Sequence, residues 1–236
     1  MNIRNADVAR RKGPLDDAPW PDKLTARVVA PGDTPRLHGY DVEGDLARHY
    51  SFVETVLLSL TGELPSPPQA RAFEIALQFL SPATVNEAPT HAAVIVRICN
   101  VLTSAILGTA AIGLGEEARA SLVQHEGWLR CLDAGATAAA AEWAPQSQAE
   151  RASVERLRDA LLGAGVVVPI LNGNIGRTPA ILATLRFAGL QRAEQMEVAF
   201  VLARLPATLA EALATPSHSY RDYPVDLPAV RYTEES

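Results

Sequence analysis

The segment at residues 171–180, LNGNIGRTPA, combines residue types suited to binding a negatively charged ligand. It lies between a short β-branched run at residues 163–170 and an apolar stretch that is typical of a helix. Glycines at such a junction let the backbone approach a ligand closely, and an arginine in a first helical turn adds a cation near free backbone N–H donors. Asn172, Asn174 and Arg177 are therefore candidate binding residues. The segment lacks the lysine and the glycine pattern of a phosphate-binding P-loop, and a helix-capping role for Asn174 is the structural alternative.

Other arrangements of reactive residues give weaker signals. The sequence has no Gly-x-Ser-x-Gly motif, and its five histidines are scattered without the spacing of a catalytic site. Glu87 and His91 are four residues apart, so both could lie on one face of a helix as metal ligands. A zinc site needs a third protein ligand, and none accompanies this pair. We therefore predict no metal site.

The elements that must position these residues are nearly all predicted to be helices. Ser51 is a preferred N-cap residue, and the helix that it starts is expected to end at Gly62. Ser66, followed directly by proline, marks the start of the next helix. The only hairpin candidate is residues 25–41, which contain a Pro-Gly-Asp turn. The sequence predicts an all-α, mostly helical fold with a small N-terminal β-hairpin.

A long apolar stretch at residues 92–113 raises the question of a membrane span. Arg97 and Asn100 interrupt it, and an arginine deep in a bilayer costs about 2.5–3.5 kcal/mol even on the mildest scale. The stretch is therefore predicted to be one buried central helix. A further helix is predicted to begin at Glu116 and Glu117, since acidic residues are favoured in a first helical turn.

The composition excludes some classes of function. The net charge of −6 argues against a broad nucleic-acid-binding surface. Residues 1–22 lack the apolar core of a secretory signal and are predicted to form a flexible arm. Cys99 and Cys131 have no metal-ligand spacing and are expected to be buried free thiols. We predict a cytoplasmic protein that binds neither nucleic acid nor membranes.

Two motifs, Gly-Tyr-Asp at residues 39–41 and LTGELP at residues 60–65, occur together at a distinctive separation. The segment that contains them resembles the citrate synthase superfamily, and a later segment is similar to the short citryl-CoA lyase type. The resemblance spans about three-quarters of the chain, from residue 37 to residue 213, in four separate segments: residues 37–73, 86–115, 169–190 and 198–213.

The resemblance implies a helix-packed homodimer and acyl-CoA chemistry. A coenzyme A thioester would be a co-substrate rather than a tightly bound cofactor, and a small carboxylate or acyl-CoA would be the ligand. Residues 23–236 would form one citrate synthase-like domain. Because the chain is shorter than usual before residue 169, residues 115–165 would form a reduced small domain.

Several positions depart from the family pattern. Glu87 stands at the position of one family histidine, and a second family histidine would fall near Glu116. Asn174 stands where the family has the aspartate that removes the α-proton. An asparagine can donate a hydrogen bond but cannot take a proton near neutral pH. Glu87, Glu116 and Asn174 are therefore the candidate catalytic residues of an altered site.

The candidate substrate-binding residues come from separate segments. Arg204 stands where the family has a carboxylate-binding arginine, and Arg221 is a looser match to a second one. Arg177 has no clear family counterpart. The full substrate-binding set is His91, Asn172, Arg177, Arg204 and Arg221.

Two hypotheses remain open at the level of the sequence. In the first, the pocket acts on an altered acyl-CoA or hydroxy-acid substrate, with Glu87 or Glu116 as the general base. In the second, the protein keeps the fold without catalysis and serves as a binding or regulatory subunit, as a homodimer or beside a partner citrate synthase-like chain.

Overall fold

The structure, a computed structural model, describes residues 23–217 of the 236-residue chain. The predicted arm at residues 1–22 and Arg221 lie outside the described residues. Within them the protein is mostly helical, with one small antiparallel sheet. The predicted fold class is therefore confirmed. The helices are α1 (Ala47–His49), α2 (Phe52–Thr61), α3 (Pro67–Leu80), α4 (Ala88–Ile98), α5 (Thr103–Gln124), α6 (Glu126–Asp133), α7 (Gln148–Gly163), α8 (Arg177–Phe187) and α9 (Ala193–Ala214).

The predicted hairpin is a sheet of three very short strands in sequence order. These are β1 (Val29–Ala30), β2 (Arg36–Leu37) and β3 (Tyr40–Asp41), and both pairings are antiparallel. His38 and Gly39 connect β2 to β3 with φ angles of 47° and 90°. A two-residue hairpin turn with positive φ at both positions favours glycine, which explains the glycine of the Gly-Tyr-Asp motif. The aspartate of that motif accepts hydrogen bonds from two backbone N–H groups of the π-helical turn Val42–Leu46.

Local capping signals fix the ends of α2 and the start of α3. The Ser51 hydroxyl accepts a hydrogen bond from the backbone of Glu54, and the Glu54 carboxylate accepts one from the Ser51 N–H at 2.7 Å. Gly62 ends α2 with a φ of 84°. Ser66 and Pro67 occupy the N-cap and the first position of α3. All of these predicted boundaries are confirmed.

The prediction of one central helix at residues 92–113 is wrong. The chain leaves α4 after Ile98 and re-enters a helix at Thr103, with Asn100 in the left-handed region at φ 55°. The reversal packs α5 back along α4. The two helices are close at Gly113, where an added Cβ would lie 3.2 Å from the Cα of Pro89. The predicted helix start at Glu116 is wrong as well, because α5 runs without a break to Gln124. No helix of the described chain is long and apolar enough to cross a membrane.

The core has one main cluster, a smaller one between α4, α5 and α9, and a third between β2, the π-helical turn and α2. The main cluster packs α3, α6, α7 and α9 around α8, whose residues from Pro179 to Leu185 are all buried. Trp128 of α6 is fully buried and donates its indole N–H to the Pro179 carbonyl at 2.9 Å. The first turn of α8 is thus held by the core. Of the two thiols, Cys131 is partly buried, but Cys99 is exposed, which corrects its predicted burial.

Candidate functional site

A cavity of about 300 Å³ lies between the α3–α4 connection and helices α5, α8 and α9. One wall is apolar and includes Leu80, Leu114, Ile181 and Phe200. The other wall is charged and consists of Glu87, Glu117, Arg177 and Arg204. Three residues that the sequence predicted from separate segments, Glu87, Arg177 and Arg204, therefore line the same cavity.

Arg204 of α9 is the centre of the charged wall. One terminal nitrogen, Nη2, forms an ion pair with the carboxylate of Glu87, and the other, Nη1, lies 3.2 Å from Glu117 Oε1. The Arg204 side chain is only 14% exposed, whereas the two carboxylates are 34% and 41% exposed. Because each terminal nitrogen already faces a carboxylate, the charge of Arg204 is neutralised by the protein itself.

Burial changes the acid–base properties of this wall. Burial raises the pKa of Glu117 above its ordinary value, because removal from water disfavours the charged carboxylate. Its second oxygen, Oε2, is buried without a hydrogen-bond partner, which also favours the protonated form. Burial lowers the pKa of Arg204, but the guanidinium stays charged because its ordinary pKa is far above neutral pH.

Arg177, the first residue of α8, is the second cation of the cavity. Its guanidinium donates a hydrogen bond to the backbone carbonyl of Phe79. Burial lowers its pKa, and the charge of Glu150 partly opposes that shift. Among residues 23–217, no carboxylate lies within ion-pair distance of its guanidinium. Within residues 23–217, Arg177 therefore has no ion-pair partner, in contrast to Arg204.

The N-terminus of α8 beside Arg177 is capped by a distant side chain. The N-cap position is Gly176, which has no side chain to accept a hydrogen bond. Glu150 of α7 takes that role: its Oε1 accepts from the Arg177 N–H at 2.7 Å and its Oε2 accepts from the Gln146 N–H at 2.8 Å. Asn174 is therefore not the cap of this helix, and the capping alternative for it is wrong.

Replacing Gly176 with alanine is expected to destabilise the protein by about 1–3 kcal/mol. A Cβ at this position would lie 2.8 Å from Glu150 Oε1 and 3.2 Å from the Trp143 carbonyl oxygen, so that the Glu150 cap would have to move. Urea denaturation followed by circular dichroism measures the change. Gly108→Ala in α5 is the matched control, since its Cβ meets nothing within 4 Å and should stabilise the helix. An equal response of the two variants would contradict this interpretation.

The other predicted site residues lie away from the cavity. Glu116 is exposed on α5 and forms an ion pair with Arg119 at 2.8 Å, while His91 is exposed on α4. Asn172 and Asn174 line a different groove, of about 440 Å³, beside Arg151 and Arg158 of α7. The structure therefore does not bring the two asparagines into one cavity with Arg204.

Glu117 is the cavity residue that the sequence prediction missed. It was grouped with Glu116 as an acidic residue of a first helical turn, but both belong to the middle of α5. Their helical phase separates them, because Glu117 lies beside the cavity-lining Leu114, Ala118 and Ser121. The sequence did contain a signal that Glu117 faces the cavity: it shares one helical face with Leu114, Ala118 and Ser121. In the part of the chain that is described, no group of three or more acidic, histidine or cysteine side chains could hold a metal ion.

Comparisons with known proteins indicate the fold. No protein-family model matches the sequence, and no curated protein sequence matches it. Among solved structures, citryl-CoA lyase from Hydrogenobacter thermophilus superposes with a TM-score of 0.65 at 15% identity, over 90% of this chain and 96% of that chain.

Two ATP citrate lyase structures are also similar. The Methanosaeta concilii enzyme (D541A mutant) in complex with (3S)-citryl-CoA has a TM-score of 0.57 at 12% identity. The Methanothrix soehngenii enzyme in complex with citrate and coenzyme A has a TM-score of 0.52 at 13% identity. Each match covers 99% of this chain and 47% of the lyase chain. The helical architecture and these similarities together show that the chain has a citrate synthase-like fold.

Proposed function

We propose that this protein forms or cleaves a carbon–carbon bond in an acyl-CoA or hydroxy-carboxylic acid substrate, and that the cavity around Arg204 is its active site. The observation that carries the proposal is the convergence of two glutamates and two arginines in one cavity that also has apolar lining. The similarity of nearly the whole chain to citryl-CoA lyase supports it, as do the citryl-CoA, citrate and coenzyme A in the ATP citrate lyase complexes.

The cavity contains the groups that such a reaction needs. In the cleavage direction, a base accepts the proton of the substrate hydroxyl and the adjacent C–C bond breaks. The hydroxyl carbon becomes a carbonyl, and the released electron pair forms the enolate of the thioester, which then takes a proton. Positioned cations and N–H donors stabilise the enolate oxygen and the carboxylate. Arg177 is the cation that remains to supply this stabilisation.

We assign the proton transfer to Glu117, in place of the predicted base Glu87 or Glu116. A raised pKa brings a carboxyl group closer to the operating pH and so makes it a more effective acid and base. Glu87 is bound to Arg204, where it orients the guanidinium. Glu116 lies on the exposed side of α5.

A direct assay tests the proposal. The full-length protein is incubated with citryl-CoA, and separately with acetyl-CoA and a set of 2-oxo acids, and the acyl-CoA species are separated by chromatography and identified by mass. The appearance of a cleaved or condensed thioester above the enzyme-free rate would support the proposal. Unchanged thioesters with every substrate pair would reject it.

A second candidate function is a non-catalytic binding or regulatory subunit. The observation that favours it is the pairing of Arg204 with two protein carboxylates. The sequence resemblance, in which Asn174 stands where the family has its proton-abstracting aspartate, agrees with this alternative. Such a subunit would work as a homodimer or beside a partner citrate synthase-like chain in the cytoplasm.

The apolar surface of α4 and α5 supports the proposal of a homodimer. Ile95, Leu102 and Ile112 are 47%, 78% and 72% exposed in the single chain, and exposed apolar groups on adjacent helices are typical of an interface. Light scattering is expected to give twice the chain mass of 25.2 kDa. Ile112→Glu should reduce the measured mass to that of one chain. A single-chain mass for the unaltered protein would reject the homodimer.

A further inference from the structure

The charge balance of the cavity restricts the ligand that it can bind. When its four ionisable residues are charged, the two carboxylates and two guanidiniums cancel. The cancellation is uneven, however. Both carboxylates are paired with Arg204, and neither is paired with Arg177.

Arg204 has little capacity left for a ligand carboxylate. Its two terminal nitrogens each face a carboxylate, Glu87 or Glu117, so its charge is already balanced by the protein, and within residues 23–217 its Nε–H is buried without an acceptor. A ligand carboxylate that approached Arg204 would have to displace one glutamate and would lie close to the other. Like charges brought together in a partly desolvated site oppose binding.

Arg177 can accept one carboxylate without such competition. Its guanidinium is hydrogen-bonded to a neutral backbone carbonyl, that of Phe79. The nearest acidic group that influences it, Glu150, already uses both carboxylate oxygens to accept backbone N–H groups. A planar guanidinium in this state binds a carboxylate well.

The apolar part of the cavity lining suits a hydrocarbon group, and the uncharged polar part consists of the hydroxyl side chains of Thr84, Ser121 and Thr178. Leu80, Leu114, Ile181 and Phe200 face the same space as Arg177. A volume of about 300 Å³ is at the small end of ligand-binding pockets. The space is therefore matched to a short carbon chain beside one charged end.

We infer that the acid bound in this cavity is a small monocarboxylate with a short hydrocarbon portion, held by Arg177, and that di- and tricarboxylates are disfavoured by the two glutamates on Arg204. The inference rests on the proposed function in so far as the same cavity is the active site. It differs from that proposal because it concerns which acid binds and requires no turnover.

Calorimetric titration of the full-length protein with butyrate, succinate and citrate, in the absence of coenzyme A, tests the inference. Butyrate is expected to bind at least about tenfold more tightly than either of the other acids. Arg177→Gln should weaken butyrate binding by at least about tenfold. The matched control is Arg156→Gln, an exposed arginine of α7, which should leave binding unchanged. Equal or tighter binding of succinate or citrate would overturn the inference, and so would the absence of butyrate binding.

Release of Arg204 provides an independent test. Glu87→Gln removes one of the two carboxylates on Arg204, so succinate binding is expected to tighten by about tenfold while butyrate binding changes less. Glu126→Gln, an exposed glutamate of α6, is the control and should tighten neither. Unchanged succinate binding by Glu87→Gln would overturn the inference. If butyrate binds more tightly than succinate and citrate but no thioester is turned over, the proposed function is rejected and this inference stands. If a thioester is turned over but succinate binds more tightly than butyrate, the proposed function stands and this inference is rejected.

Discussion

Glu117→Gln is expected to lower the turnover of an acyl-CoA substrate by at least about 100-fold, the usual contribution of a positioned acid or base. The substitution keeps the size and the hydrogen-bonding shape of the side chain but removes its ability to exchange a proton. Turnover is measured by chromatographic separation of the thioesters. Since Arg204 loses a charged partner while the lining keeps its shape, kcat should fall much more than KM rises.

Glu116→Gln is the matched control for that experiment. It changes the neighbouring residue of the same helix, which is exposed and forms an ion pair with Arg119 at 2.8 Å. Its turnover should stay within about twofold of the unaltered protein, because exposed ion pairs contribute little. Loss of turnover in Glu116→Gln with retention in Glu117→Gln would contradict the assignment from the structure and favour the one from the sequence.

Arg204→Met is expected to reduce the free energy of unfolding by about 2–4 kcal/mol near neutral pH, somewhat less than for a fully buried pair because the carboxylates are partly exposed. The variant leaves Glu87 and Glu117 without a shared cation. Urea denaturation measures the loss. Removing both charges as well, in the triple variant with Glu87→Gln and Glu117→Gln, should restore most of the stability.

The effect of Arg204→Met on stability should depend on pH, because the pKa of Glu117 is raised in the folded protein. Its pKa in the folded protein lies above the ordinary value of 4.5, so the folded state binds the proton more readily than the unfolded state. The stability therefore falls as the pH rises from that ordinary value through the folded pKa. Arg204→Met should make this decrease in stability with pH larger. Glu117→Gln should remove the part of the decrease that comes from Glu117. A loss of stability that is equal at pH 4 and pH 7 would contradict the proposed cause.

Local signals in the sequence were sufficient to place several helix ends. Ser51, Gly62 and Ser66 act through hydrogen bonds or φ angles within a few residues of themselves, so their meaning does not depend on the rest of the fold. The break after Ile98 carried a weaker signal of the same kind. Its connecting residues, CNVL, contain neither glycine nor proline, but Asn100, at φ 55°, is of the residue type that most often replaces glycine in the left-handed region after a helix.

The candidate site was predictable only in part, because the contacts that form it join residues from distant parts of the chain. Glu87 and Arg204 were selected by resemblance, but their contact joins positions 117 residues apart and depends on how α9 packs beside the start of α4. Glu116 and Glu117 are separated in function by helical phase alone, which the misplaced helix start obscured. Asn174 was selected by resemblance as well, whereas the structure places it in a groove beside α7 and not in the cavity around Arg204.

The remote cap of α8 has a mechanical consequence. Glu150 joins α7, a large part of the predicted small domain, to Arg177 of the cavity. Moving α7 outward would remove the charged acceptor of the Arg177 amide, at a cost of about 1–3 kcal/mol if that amide found no other partner, whereas the Gln146 amide would move with α7. Outward movement of α7 would therefore have to cross an energy barrier and would not be a continuous, small-amplitude motion. Such a motion would also disturb Arg177, so the outward movement of α7 and the binding of an acid by Arg177 would be coupled.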